Sequence, residues 1–275
     1  MTAAMRVVAA GLCEPAEALA LDEAVVRAEP RTPVLILWRT RPAVVVGRFQ
    51  RADWEVDAAA CAERGVGVWR RFTGGGAVHL DPGTLCVGRV VPAGHPDAAL
   101  GVPELYAPFL AGIAAACRTL GVDATADERT VRVGGRKVTG VAAHRGRRAT
   151  LVHGTLLVDA DLDGLVACLA GPRGGSLDGR PRPAHSRPDR VANLGVGMAA
   201  AQAAVVGAFA GDEAAQEPPS QRERELVASL RRERYDDRAW HAGPWRDVTP
   251  EGVSAVLGGD ARSFDIGIGR PGMTG

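Results

Sequence analysis

The chain has 275 residues, 46% hydrophobic and 24% charged, an ordinary globular mix that suffices for one large domain or two modest ones. Lys and Arg number 33 against 32 Asp and Glu, a net charge of +1, so no global field recruits nucleic acid or an anionic membrane surface. No apolar run approaches the roughly 20 residues a bilayer span needs, and residues 1–12 lack the charged head and apolar core of a signal peptide. The five cysteines (Cys13, Cys61, Cys86, Cys117 and Cys168) are odd in number and scattered, with no Cys-x-x-Cys pair. The expectation is a cytoplasmic protein in a reducing compartment, without a disulfide framework or zinc site and without a tightly bound metal.

In chain order, the spacing of Leu19, Ala20, Glu23 and Val26 predicts a helix over residues 16–28. Two short β-branched runs, 34–38 and 43–47, read as strands separated by Arg-Thr-Arg-Pro. A helix over 57–64, a strand over 66–71, a glycine-rich turn at 73–76 and a strand over 84–91 follow. Leu105, Phe109, Ile113, Ala116 and Leu120 set a helical period over 103–120, ended by Gly121. Gly134 and Gly135 separate strands at 131–133 and 137–143, the signature of a tight hairpin, and 150–158 pairs next. Residues 171–190 carry Gly, Pro and Arg with little apolar content and read as a mobile loop. Helices are expected over 199–210 and 222–234, and 251–275 as a glycine-rich tail behind a catalytic domain of residues 1–250. This order gives an α+β fold, a mixed and largely antiparallel sheet flanked by helices.

Three segments carry chemistry. In Arg70-Arg71-Phe72-Thr73-Gly74-Gly75-Gly76-Ala77-Val78 the glycines let backbone amides approach a ligand closely, and the arginines at its head offer planar donors for phosphate or carboxylate. Gly135-Arg136-Lys137-Val138-Thr139-Gly140 sets a lysine among apolar strand residues, and Leu151-Val152-His153-Gly154-Thr155 sets a histidine in another. Singly, each has a plain alternative: a flexible turn, a solvent-facing lysine and a core histidine.

In this order the segments resemble the lipoate-protein ligase A family, whose pattern is Arg-Arg-x-Ser/Thr-Gly-Gly-Gly-Ala-Val, then Arg-Lys-x-x-Gly-x-Ala, then His-Gly-Thr-Leu-Leu. The resemblance extends to Glu17-Ala18-Leu19-Ala20-Leu21-Asp22-Glu23, to Gly47-Arg48-Phe49-Gln50, to Arg190-Val191-Ala192-Asn193-Leu194, and to Tyr235 and Trp240. It implies a catalytic domain of the biotin and lipoate protein ligase type. The implied activity joins lipoate and Mg-ATP into an acyl adenylate and passes the acyl group to a lysine of a lipoyl carrier domain. Such domains belong to 2-oxoacid dehydrogenases or to the glycine cleavage H protein. Lys137 matches the catalytic lysine. Arg71, Thr73, Gly74, Gly75, Gly76, Ala77, Val78, Gly140, His153 and Gly154 match substrate and nucleotide positions, and Val78, Val141 and Leu157 are expected to line the acyl tunnel.

The departures from the pattern are specific. His79 stands one position away from the family's histidine, which in a strand turns it to the opposite face. Arg129 and Thr130 replace an Asn-Asp pair suited to magnesium, leaving Asp127 or Glu128 as substitutes and the metal ligands unassigned. The resemblance also admits a separate accessory-domain partner. A second activity on the same fold is a cysteine-dependent octanoyl or lipoyl transferase with Cys86 or Cys168 as nucleophile. A third is a non-catalytic acyl-binding relative.

Overall fold

A computed structural model of the protein describes residues 5–169, 186, 189–211 and 214–242. The amino-terminal half comprises β1 (Arg6–Cys13), α1 (Pro15–Arg27), β2 (Val34–Thr40), β3 (Ala43–Val46), α2 (Ala52–Glu55), α3 (Ala58–Glu63), β4 (Gly67–Arg70), β5 (Val78–Leu80), β6 (Thr84–Pro92) and α4 (Val102–Thr119). The remainder comprises β7 (Ala124–Ala126), β8 (Val131–Val133), β9 (Arg136–Lys137), β10 (Thr139–Arg145), β11 (Ala149–Leu157), α5 (Leu162–Cys168), α6 (Met198–Ala210), β12 (Gln216–Glu217), α7 (Gln221–Leu230) and α8 (Arg238–Ala242). The reading of 171–190 as a mobile loop and of 251–275 as a tail lies outside the described residues, apart from Ser186, Asp189 and Arg190.

The main sheet has six strands in the order β10-β11-β6-β2-β1-β12. Its first three pairings are antiparallel, and β2-β1 and β1-β12 are parallel, so the α+β class and mixed sheet stand. β2 is buried along almost its whole length, which is why it reads as an unbroken apolar run. Its side chains nevertheless divide by the period of two: Leu35 and Leu37 pack with α4 and α6, while Val34, Ile36 and Trp38 pack with α1. α1 is covered by the sheet on one side and by α7 on the other, so nearly all its residues are buried, Asp22 and Glu23 included.

Two small sheets complete the fold. β4-β3-β5 carries the glycine-rich loop between β4 and β5, and β7-β8-β9 presents Lys137. The hairpin at Gly134 and Gly135 forms as expected, both residues at positive φ (54° and 73°), which a side chain would disfavour. The expected strand over 137–143 does not form as one piece. β9 ends at Lys137, the Val138 amide turns back to the Val131 carbonyl, and β10 begins at Thr139 in the main sheet. Lys137 instead takes backbone partners from Arg190 and Ala192. β1, β5, β7 and β12 are additions to the sequence reading, each short or weakly patterned.

Candidate active site

The elements enclose a cavity of about 680 Å3 whose wall includes Arg71, Lys137, Gly140 and His153. Gly76, Ala77, Val78, Val141, Gly154 and Cys86 line it as well. Thr73, Gly74 and Gly75 do not; they stand behind the wall and shape it. Leu157 lies in β11 away from the cavity, contrary to its expected place in the acyl tunnel.

The two motif arginines do different work from that expected of them. Arg70 is 1% exposed and commits its donors to backbone carbonyls of Gly47, Arg48, Gln50, His241 and Ala242. It therefore binds the Gly47-Arg48-Phe49-Gln50 turn to α8 and contacts no ligand space. Arg71 donates to Val45 O at 3.2 Å, Thr73 Oγ1 at 3.0 Å, Gly74 O at 2.6 Å and Gly76 O at 2.8 Å. Burial holds both guanidinium pKa values down to about 10, yet both remain charged at neutral pH. With the carbonyls of Gly74 and Gly76 drawn inward, planarity of the peptide turns the next amides, Gly75 and Ala77, away from the guanidinium. Ser186 Oγ takes the Ala77 amide at 2.7 Å.

Two glycines make this arrangement sterically feasible. A Cβ at Gly47 would overlap the Gly75 carbonyl oxygen, and a Cβ at Gly154 would overlap the Gly140 carbonyl oxygen. The Gly47 constraint explains the Gly-Arg-Phe-Gln segment, whose Gln50 side chain accepts from the Gly47 amide and donates to Ser186.

His153 belongs to a buried chain of polar groups. Its Nε2 meets Thr73 Oγ1 at 2.8 Å and its Nδ1 meets Asp22 Oδ2 at 3.1 Å, while Asp22 Oδ1 accepts from Trp38 Nε1 at 2.9 Å. Thr73 thus meets the cavity through His153 and Arg71, both of which line it. Asp22 is absent from the sequence-derived site set. The signal that could have found it is a carboxylate at helical spacing with the apolar Ala18, Leu19, Val25 and Val26, which on a buried face requires a donor. His79 is turned away, as the register argument required. It is 2% exposed, faces Gly164 in α5, and neither ring nitrogen has a partner among the described residues. Burial lowers its pKa.

Lys137 is partly buried, and its ammonium lies over Gly140, 3.7 Å from where a Cβ there would sit, an ordinary contact distance. Burial lowers its pKa from 10.5, opposed by the charges of Asp189 and Asp127 and reinforced by Arg132. The Arg190-Val191-Ala192-Asn193-Leu194 segment holds β9 from the other side. Lys137 N donates to Arg190 O, Ala192 N donates to Lys137 O, and Asn193 locks the segment onto both polar groups of the Ala160 backbone at 2.9 Å.

The thiols divide as well. Cys86 lines the cavity but is buried, and that burial, with Asp22 nearby, pushes its pKa well above 9.0, the reverse of what a nucleophile needs. Cys168 is fully buried against Cys61, Val44 and Val46, outside the cavity wall. Its hydrogen bond with the Cys61 thiol lowers its pKa, but no substrate path reaches it from this cavity.

The carboxylates near the expected magnesium position, Asp127 and Glu128, both line the cavity, and Asp127 is engaged by its own turn. Asp127 Oδ1 accepts the amides of Arg129 and Thr130, and Oδ2 accepts Arg132 Nε at 3.2 Å. The Thr130 hydroxyl donates to the Thr139 carbonyl. Among the described residues no group of three or more His, Cys, Asp or Glu converges on a point that could hold a metal ion.

The model of the lipoyl protein ligase A/B catalytic domain matches residues 14–209, which include the glycine-rich loop, Lys137, His153 and the Arg190 segment. The chain belongs to that family. Lipoate-protein ligase A subunit 1 of Thermoplasma acidophilum is 32% identical over 189 residues, 64% of this chain and 70% of that protein. The octanoyltransferase LipM of Geobacillus kaustophilus is 33% identical over 186 residues, 57% of this chain and 66% of that protein. The family enzymes similar to this chain therefore include both lipoate ligases and octanoyltransferases. Among solved structures, lipoate-protein ligase A bound with ATP superposes with a TM-score of 0.74 at 25% identity, covering 87% of this chain and 99% of that one. The bi-partite lipoate protein ligase of Thermoplasma acidophilum, described with its E2 lipoyl domain, gives 0.72 at 26% identity, covering 87% and 97%. Among the described residues no helix is long and apolar enough to cross a membrane.

Proposed function

We propose that this family enzyme is an ATP-dependent lipoate-protein ligase, using lipoate or octanoate. The carboxylate oxygen of the acid attacks the α-phosphorus of ATP and pyrophosphate leaves; a neutral lysine amine of a lipoyl carrier domain then attacks the acyl carbonyl and AMP leaves. The observation that carries this reading is the pairing of an unpartnered Lys137 in the cavity wall with a cavity thiol, Cys86, whose burial opposes ionisation. An ammonium there offsets the negative charge that develops on the phosphoryl and acyl oxygens, and burial strengthens the effect. The Val78 and Val141 side chains cover the aliphatic tail. Magnesium, in this reading, arrives with the nucleotide as its counter-ion.

The carrier substrates are lipoyl domains of 2-oxoacid dehydrogenases or the H protein of glycine cleavage. A separate accessory-domain protein is a further expected partner, by analogy with the bi-partite Thermoplasma ligase. The second reading, transfer from an octanoyl-loaded acyl carrier, is favoured by the similarity to LipM. The deciding experiment is mass spectrometry of a lipoyl carrier domain incubated with the protein. One arm contains lipoate and Mg-ATP, the other an octanoyl-loaded acyl carrier. Lipoyl mass gained only with ATP is the expected result; acyl transfer only from the loaded carrier would overturn it.

A further inference from the structure

Two cations in the cavity wall are left without a hydrogen bond or ion pair among the described residues, and the reaction above uses only Lys137. The other is Arg129. It is one of three arginines lining the cavity, and the contrast among them is informative. Arg71 is committed to carbonyls of its own loop, and Arg132 makes a bidentate pair with Asp189 at 3.1 and 2.8 Å and a further bond to Asp127. The Arg129 guanidinium is exposed and free, although its backbone is fixed. Its amide donates to Asp127 Oδ1 at 2.8 Å, the Asp127 amide returns to Thr130 O at 2.9 Å, and the Thr130 hydroxyl anchors the turn to β10. A charged arm therefore extends from a rigid base. The half-buried Tyr106 phenol lies close enough to both Arg129 and Arg71 for each charge to act on it, which ties the turn to the glycine-rich loop.

A free guanidinium and a free ammonium on the wall of one cavity are suited to a phosphate-bearing ligand. Guanidinium N–H groups match phosphate oxygens in pairs and stay charged at all working pH values. The same turn holds Glu128 and Asp127, the latter engaged by its own turn and by Arg132, and among the described residues no three metal-ligating side chains converge, so a protein cation there adds to the counter-ion that the nucleotide brings. We propose that Arg129 is a phosphate-contacting residue of this site, acting beside Lys137 on the polyphosphate of the nucleotide. The proposal rests on the nucleotide-dependent reading above.

The test is ATP binding by calorimetry to the full chain, wild type against Arg129→Gln and Arg129→Lys, in Mg and again in excess EDTA. Arg129→Gln is expected to raise the Kd for ATP about tenfold in both buffers and to flatten its dependence on salt. Arg129→Lys should recover part of the loss, and lipoate affinity and the melting temperature should not move. Because the side chain is exposed, folding is not at stake. Equal ATP affinity in Arg129→Gln and wild type would overturn the proposal and leave the ligase reading standing. Absence of ATP binding by the wild type would remove both.

Discussion

The glycine-rich loop and the hairpin region around Lys137 border the same cavity and are built on opposite principles. The loop is assembled around a buried cation: Arg71 takes four acceptors, and three of them lie within the loop itself. The hairpin region is held by exposed ion pairs, Arg132 with Asp127 and Asp189, and leaves the Lys137 and Arg129 side chains without a hydrogen bond or ion pair among the described residues. The arginines of the most recognisable motif thus serve architecture, and the charges free to act on a substrate come from the less conspicuous segment. A buried charge must be fully paired to be tolerated, whereas a free one persists only where water or ligand can reach it.

The largest effect expected is on chemistry. Lys137→Ala should lower carrier acylation by about a hundredfold or more, the scale of removing one charge-stabilising donor, with an unchanged melting temperature. Retained activity would break the contrast drawn here. The protonated ammonium is the active form and burial lowers its pKa from 10.5, so the rate should fall as pH rises through that depressed value, and Lys137→Arg should extend the alkaline limit.

Next in size is Arg71→Met. It should cost about 3 kcal/mol in denaturant unfolding, because four acceptors lose a charged donor in a buried place. A near-neutral result would mean that the loop is not built on its arginine. Cys86→Ala should retain full acylation and lose about 1 kcal/mol of stability from the small void. Accumulation of a Cys86 thioester in the wild type would reverse the assignment.

The smallest effect concerns His79. Its folded pKa lies below 6.5 because burial disfavours the charged ring. The unfolded state therefore binds more protons in that range, and the contribution of neutral His79 is present above pH 6.5 and lost as pH falls below it. His79→Phe should flatten the acid side of the stability curve between pH 6.5 and the folded pKa.

Much of the site was legible because its motifs are local. Lys137, His153 and the Gly76-Ala77-Val78 segment were named from sequence order, and all border the cavity. Thr73 was also named, yet it acts through His153, and that relation depends on a hydrogen bond spanning 80 residues. Asp22 was missed for the same reason, its partners Trp38 and His153 being set by the packing of α1 on the sheet. The break at Val138 was missed because no glycine or proline separates Lys137 from Thr139 and the run through Val138 into β10 reads as continuous. Only their different partners, β8 on one side and β11 on the other, separate them.

The sequence by itself determined the type of most of the longer elements, the α+β class, the Gly134-Gly135 hairpin and the family, since periodicity, positive-φ glycines and ordered motifs are properties of neighbouring residues. Tertiary structure alone decided which cations are free. Arg70, Arg71, Arg129 and Arg132 are chemically equivalent in sequence, and what distinguishes them is the set of acceptors that folding turns toward three of them, from distant segments for Arg70 and Arg132 and mostly from its own loop for Arg71, and withholds from the fourth side chain among the described residues.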